Sequence, residues 1–132
     1  MEYETSQLIQ EIIKIEKFIN DITNKGQNIK DTVYSVLSRY YYYLFIINKD
    51  ENTFNSAIAN INKAILQDSK NMKYLASRAM FYMSANKYDI AEKDINIIRN
   101  SNKYYMKKKD INKMYVETII KKFDKNIVKN NT

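Results

Sequence analysis

Cysteine, histidine, tryptophan and proline are absent from the 132 residues, and glycine occurs once, at Gly26. Without cysteine and histidine the chain cannot form disulfides, thiolate nucleophiles, Cys/His zinc sites or imidazole acid–base pairs. Without proline and with a single glycine, turns fall to Asn and Asp. A β-rich domain of this length would need several tight turns at positive φ, most of them built on Gly, Pro or Asn-Gly, so helices are expected instead. Long apolar runs are also missing. The most apolar stretch, Tyr40 to Ile47, lies between Arg39 and Lys49 and falls far short of the roughly 20 residues of a membrane span. The first residues, Met-Glu-Tyr-Glu-Thr-Ser, carry acids where a signal or transit peptide carries basic residues, so a soluble cytoplasmic protein is expected.

What is present is enough to fold. Hydrophobic residues make up 45% of the chain and charged residues 28%, a globular balance at the size of one domain. Leu8, Ile12, Ile15, Ile19 and Ile22 alternate at spacings of four and three, predicting a helix over about residues 4–24, with Gly26 placed to cap it. Val33, Leu37, Tyr40, Leu44 and Ile47 repeat the pattern after Asp31-Thr32, a plausible N-cap pair. A third helix carries Phe54, Ala57, Ile61, Ala64 and Ile65, and a fourth covers about Met72 to Ala85. Asn86 then makes a short turn in place of glycine before a fifth helix begins near Tyr88. The sixth starts after Asn100-Ser101-Asn102, with Ile111, Tyr115, Ile119, Phe123 and Ile127 at a steady spacing of four.

The chain repeats itself at 34 residues. Phe54 maps onto Tyr88, Ala57 onto Ala91, Ile61 onto Ile95, Asn62 onto Asn96 and Ala64 onto Ile98 without a gap. The stretch from Leu75 to Ile95 resembles a tetratricopeptide repeat (TPR): Ala79 stands at the small-residue position of helix A, Tyr82 and Tyr88 at the aromatic positions, Asn86 at the turn glycine and Ala91 at the small position of helix B. The first unit keeps the helix-B pattern but departs in helix A, where Phe45 and Asn48 replace the small and first aromatic residues. Altogether the match runs over about Arg39 to Tyr105. It implies an all-α fold: a right-handed stack of two TPR-like hairpins, residues 31–71 and 72–105, between capping helices at 1–30 and 106–132.

Within that superfamily, Ser77-Arg78-Ala79-Met80 with Lys87-Tyr88 and Ala91-Glu92-Lys93-Asp94 is similar to co-chaperone TPR domains, although the positions of their carboxylate clamp hold Tyr42, Ile46 and Ser77 here. In layout the chain is similar to mitochondrial fission adaptors of the Fis type, which place two TPR-like hairpins between an N-terminal and a C-terminal helix.

No catalytic residue, metal site or cofactor is expected. The available carboxylates, such as Asp89, Glu92 and Asp94, are set among Lys93 and Asn96 as a polar helix face. The TPR resemblance instead implies a non-enzymatic adaptor, or a small subunit of a larger assembly. A partner segment would lie along the helix-A groove of Arg39, Tyr42, Tyr43, Ile46 and Lys49 in the first unit and Lys73, Ser77, Met80 and Ser84 in the second. The four tyrosines Tyr40 to Tyr43 cannot form one stacking platform, because consecutive helix positions point about 100° apart. Tyr40 and Tyr41 are expected inward, Tyr42 and Tyr43 nearer the groove.

Charge is concentrated at the end of the chain. Residues 1–100 hold 13 basic against 12 acidic side chains, and residues 101–132 hold 9 against 3. Lys107, Lys108, Lys109, Lys113, Lys121, Lys122 and Lys125 therefore define a basic patch on the last helix. A solvated capping face explains it; the alternative is a ribonucleoprotein or ribosome-associated component that contacts RNA there. A third reading is a membrane-recruited, fission-type adaptor lacking its anchor.

Overall fold

The computed structural model describes residues 2–101 and 107–130, and the side chains of 5–101, 107 and 109–125. Six helices account for most of the described residues, and no strand occurs among them: α1 (Glu2–Asn24), α2 (Asp31–Asn48), α3 (Glu51–Gln67), α4 (Met72–Ser84), α5 (Tyr88–Arg99) and α6 (Lys108–Asn130). The boundary expected at residues 105 and 106 lies outside the described residues. The chain divides into two compact units, Met1–Lys70 and Asn71–Thr132.

In the first unit α1 and α3 both pack on α2. The stripe of α1 does what its spacing predicts: Ile12 is buried with Leu37 and Leu44 of α2, and Leu8, Ile15, Ile19, Tyr40 and Tyr41 close around them. On the other side of α2, Phe45 meets Phe54 of α3 with ring centroids 5.1 Å apart, while Ala57, Ile61 and Ala64 are fully buried. Gly26 adopts φ 74°, and the amide of Gln27 donates to the Ile22 carbonyl at 3.2 Å, closing α1 with a left-handed cap.

The start of α2 differs from expectation. Lys30 holds the cap position with no side-chain capping bond, and Asp31 is already helical, so its charge complements the helix N-terminus from within the first turn. Lys49 ends α2 in the left-handed conformation at φ 56°, its amide bonded to the Phe45 carbonyl and its exposed side chain carrying the ammonium 5.8 Å from the Phe45 ring. Asp50 then caps α3 by accepting from the amides of Asn52 and Thr53.

In the second unit α5 packs between α4 and α6. Asn71 caps α4, and Asn86 takes φ 61° so that the Lys87 amide reaches the Tyr82 carbonyl at 2.8 Å. Asn86 thus closes α4 as Gly26 closes α1. Ala79 and Ala91 are fully buried, as are Ile95 and Ile98. The 34-residue register therefore holds in burial: Ala57 and Ala91, Ile61 and Ile95, and Ala64 and Ile98 are all at zero exposure.

Candidate functional site

In the first unit Arg39, Tyr43 and Ile46 are exposed on α2, and Tyr42 is partly buried. The tyrosines fan around the helix as the 100° step requires. Tyr40 and Tyr41 pack on the Ile12 cluster, Tyr43 sits edge-on to Tyr40 at 6.4 Å, and Tyr42 lies 6.0 Å from Tyr43. Burial, together with a hydrogen bond to Glu16 and that carboxylate's charge, pushes the Tyr41 hydroxyl up to about 12.

Beside these residues, between α1 and α2, lie two hollows that the sequence reading missed. One, of about 530 Å³, is lined by Leu8, Glu11, Tyr40, Tyr43 and Ile47 among others. The other, of about 360 Å³, is lined by Lys14, Ile15, Phe18, Thr32, Val33 and Val36. Phe18 and Val36 stand on the shoulders of the apolar stripes; the only sequence signal was that each is apolar one step off its stripe.

In the second unit Lys73 and Met80 are exposed on α4, while Ser77 and Ser84 are half-buried. At the 34-residue offset Lys73 corresponds to Arg39 and Met80 to Ile46. Ile46 is 40% exposed and Met80 46%. Each helix therefore presents a cation and, two turns further on, an apolar side chain on one face, roughly 10 Å apart along the axis. Deeper in this unit, Arg78 donates from Nε and Nη2 to the two oxygens of Asp94 at 2.8 and 2.7 Å, and Asp94 is almost wholly buried. The pairing raises the Arg78 guanidinium pKa further.

The basic patch divides. Lys107, Lys109, Lys113 and Lys121 are exposed, and the side chain of Lys108 lies outside the described residues. Lys122 instead bonds Glu92 and pairs with Asp89 of α5 at 3.2 Å, which raises its pKa, and Lys125 donates to the Asn86 carbonyl at 3.2 Å. Lys122 thus ties α6 to α5, and Lys125, itself exposed, reaches the turn that precedes α5.

The expected apolar stripe of α6 also turns out of its contact. A spacing of four advances each side chain by about 40°, so a stripe that meets α5 at Ile111 has rolled about 120° away by Phe123. Ile111 is fully buried, Tyr115 half-buried beneath the Arg99 guanidinium, and Phe123 is 64% exposed. Thr118 takes over the contact, its hydroxyl donating to the Met114 carbonyl. Ile127 lies outside the described side chains.

No protein-family model, curated protein or solved structure matches the chain. What its surfaces can do follows from their own chemistry. Among the described residues no group of three metal-ligating side chains converges, and no helix is long and apolar enough to cross a membrane.

Proposed function

We propose that this chain is a TPR-like protein-binding module, an adaptor or a small subunit of a larger assembly, and that the helix-A face of each repeat is a docking surface for a partner segment. The observation that carries the reading is the repeated couple: Arg39 with Ile46 on α2, Lys73 with Met80 on α4, exposed at the same register 34 residues apart. Ile46 and Met80 leave 40% and 46% of their surface to solvent, apolar area that the fold itself does not bury. Set beside a cation at a fixed distance, each suits an amphipathic, mildly acidic segment that supplies an apolar anchor and a carboxylate.

The RNA reading draws less support. Lys122 and Lys125 are engaged with α5 and its preceding turn, and the exposed lysines of α6 alternate with Asp110, Glu117 and Asp124, which repel phosphate.

The test compares two variants in recovery of associated proteins from native lysate. Ile46→Asp with Met80→Asp should reduce recovery at least about tenfold, a loss of roughly 1.4 kcal/mol, with helicity unchanged. Gln at Lys107, Lys109, Lys113 and Lys121 should leave recovery intact and insensitive to ribonuclease. The converse pattern, or no associated protein with the parent chain, overturns the reading.

A further inference from the structure

Two of the four consecutive tyrosines wall a hollow of the first unit. Tyr40 and Tyr43 border the space of about 530 Å³ between α1 and α2, with Leu8 and Ile47 as apolar neighbours and Glu11 on the α1 side. The two rings stand at 85° to each other with centroids 6.4 Å apart, so they form a right-angled corner. Both are held in place. Tyr40 packs on the cluster of Ile12, Leu37 and Leu44, and Tyr43 also contacts Tyr42, centroid to centroid 6.0 Å. The volume falls in the range of small-ligand sites.

The face of an aromatic ring is negative and draws cations. Elsewhere the chain supplies its own: Lys49 lies 5.8 Å from the Phe45 ring, Lys63 5.2 Å from Tyr34 and Arg99 3.8 Å from Tyr115. Among the described residues no cation stands over Tyr40 or Tyr43. A cation resting in the corner between perpendicular rings at this separation lies about 4.5 Å from each centroid, inside the roughly 6 Å over which the attraction acts. Glu11 already pairs with Lys14 at 3.3 Å, so the rim is nearly neutral and the rings carry the preference for positive charge. That decides the kind of cation. A bare ammonium holds its water strongly. Alkyl groups on the nitrogen shed that water and pack against Leu8 and Ile47.

From these observations we infer that the hollow walled by Tyr40 and Tyr43 binds a quaternary alkylammonium head group, carried by a free choline-like molecule or by a trimethylated lysine side chain. The site goes beyond the helix-A reading and does not rest on it, because Arg39 and Ile46 do not line the hollow.

Proton NMR titration of the full chain tests this with choline, with the uncharged alcohol in which carbon replaces choline's nitrogen, and with short peptides carrying trimethyllysine or unmodified lysine. The N-methyl signal of bound choline should move upfield, shielded by the ring faces. Choline should bind about five- to tenfold tighter than the alcohol, and the trimethyllysine peptide should exceed the unmodified one by a similar factor. Tyr43→Phe keeps the ring face and should bind choline within about twofold of the parent, whereas Tyr43→Leu should weaken it about fivefold and leave the alcohol unaffected. Tyr43 is 48% exposed, so both variants should keep the parent's melt, and the comparison of choline with the alcohol needs no variant at all. Ile46→Asp should leave choline binding unchanged, which separates this site from the helix-A surface. Tighter binding of the trimethyllysine peptide than of choline identifies a protein side chain as the source of the head group, and the reverse order a small molecule. Equal binding of choline and the alcohol, parent-level choline binding by Tyr43→Leu, or no shift of any tyrosine ring signal with choline or the trimethyllysine peptide at millimolar concentration overturns the inference.

Discussion

The helix pairs α2–α3 and α4–α5 share a 34-residue register, yet different chemistry joins them. Where α2 has Leu44 and Phe45, α4 has Arg78 and Ala79; where α3 has Phe54 and Asn60, α5 has Tyr88 and Asp94. The first pair is closed by the Phe45–Phe54 contact, with buried Asn60 turned back on its own helix to donate to the Ser56 carbonyl at 2.8 Å. The second is closed by the two-pronged Arg78–Asp94 bond, and alanine at 79 lets the helices approach. Helical periodicity decides which positions meet. It leaves open whether an aromatic contact or an ion pair fills the joint, provided that buried polar groups find partners. Among the described residues they all do.

The largest effect is expected at the aromatic joint. Phe45→Ala removes a buried ring from Phe54 and leaves a cavity, and should cost about 3–5 kcal/mol in urea unfolding. The same residue is already alanine at the corresponding Ala79, where nothing is lost, so a loss under about 1 kcal/mol would mean that the two joints are interchangeable.

A somewhat smaller loss is expected at the ion pair. Asp94→Asn removes the charge that the Arg78 guanidinium pairs with, and because that group is a quarter exposed the cost should be about 2–3 kcal/mol, less than for a fully buried pair. Adding Arg78→Leu recreates the Leu44 and Asn60 arrangement of the first unit and should recover more than half of the loss. If the double variant is as unstable as the single one, the ion pair is needed for the joint itself and not only for its own neutralisation.

Smallest is the effect of Tyr41→Phe, expected at about 0.5–1 kcal/mol at neutral pH. The fold favours the protonated hydroxyl, so the folded pKa of about 12 lies above the ordinary 10.0. Its contribution is complete below pH 10 and is lost as pH rises toward 12. Thermal melts of the parent should therefore converge on those of Tyr41→Phe across that interval. Curves that stay parallel would show that neither burial nor Glu16 holds this proton in the fold.

Much of the helical layout was legible before any coordinates. The stripes of α1 and α2, Gly26 and Asn86 as left-handed caps, and the equal burial of Ala57 and Ala91 all follow from signals within one helix or one turn. The candidate surfaces were less so. Arg39, Ile46, Lys73 and Met80 are exposed, but the Lys49 backbone also caps α2, Lys122 pairs with α5, and Lys125 reaches the turn before it. Nothing local marks Lys122 apart from Lys121: adjacent on one helix, they point about 100° apart, and only the position of Glu92 and Asp89 on α5 gives one of them partners.

The sequence by itself determined that the chain is helical, where most helices start and stop, and which residues of the two repeats correspond. Those properties depend on backbone hydrogen bonds, capping and side-chain spacing over a few residues, and they are written in the order of the amino acids. Only the tertiary structure decided that Arg78 meets Asp94, that Phe18 and Val36 line a hollow, and that the α6 stripe rolls out of contact by Phe123. Each of these depends on which face of a helix a neighbouring helix covers, and a drift of about 40° per step is enough to move a side chain from core to surface.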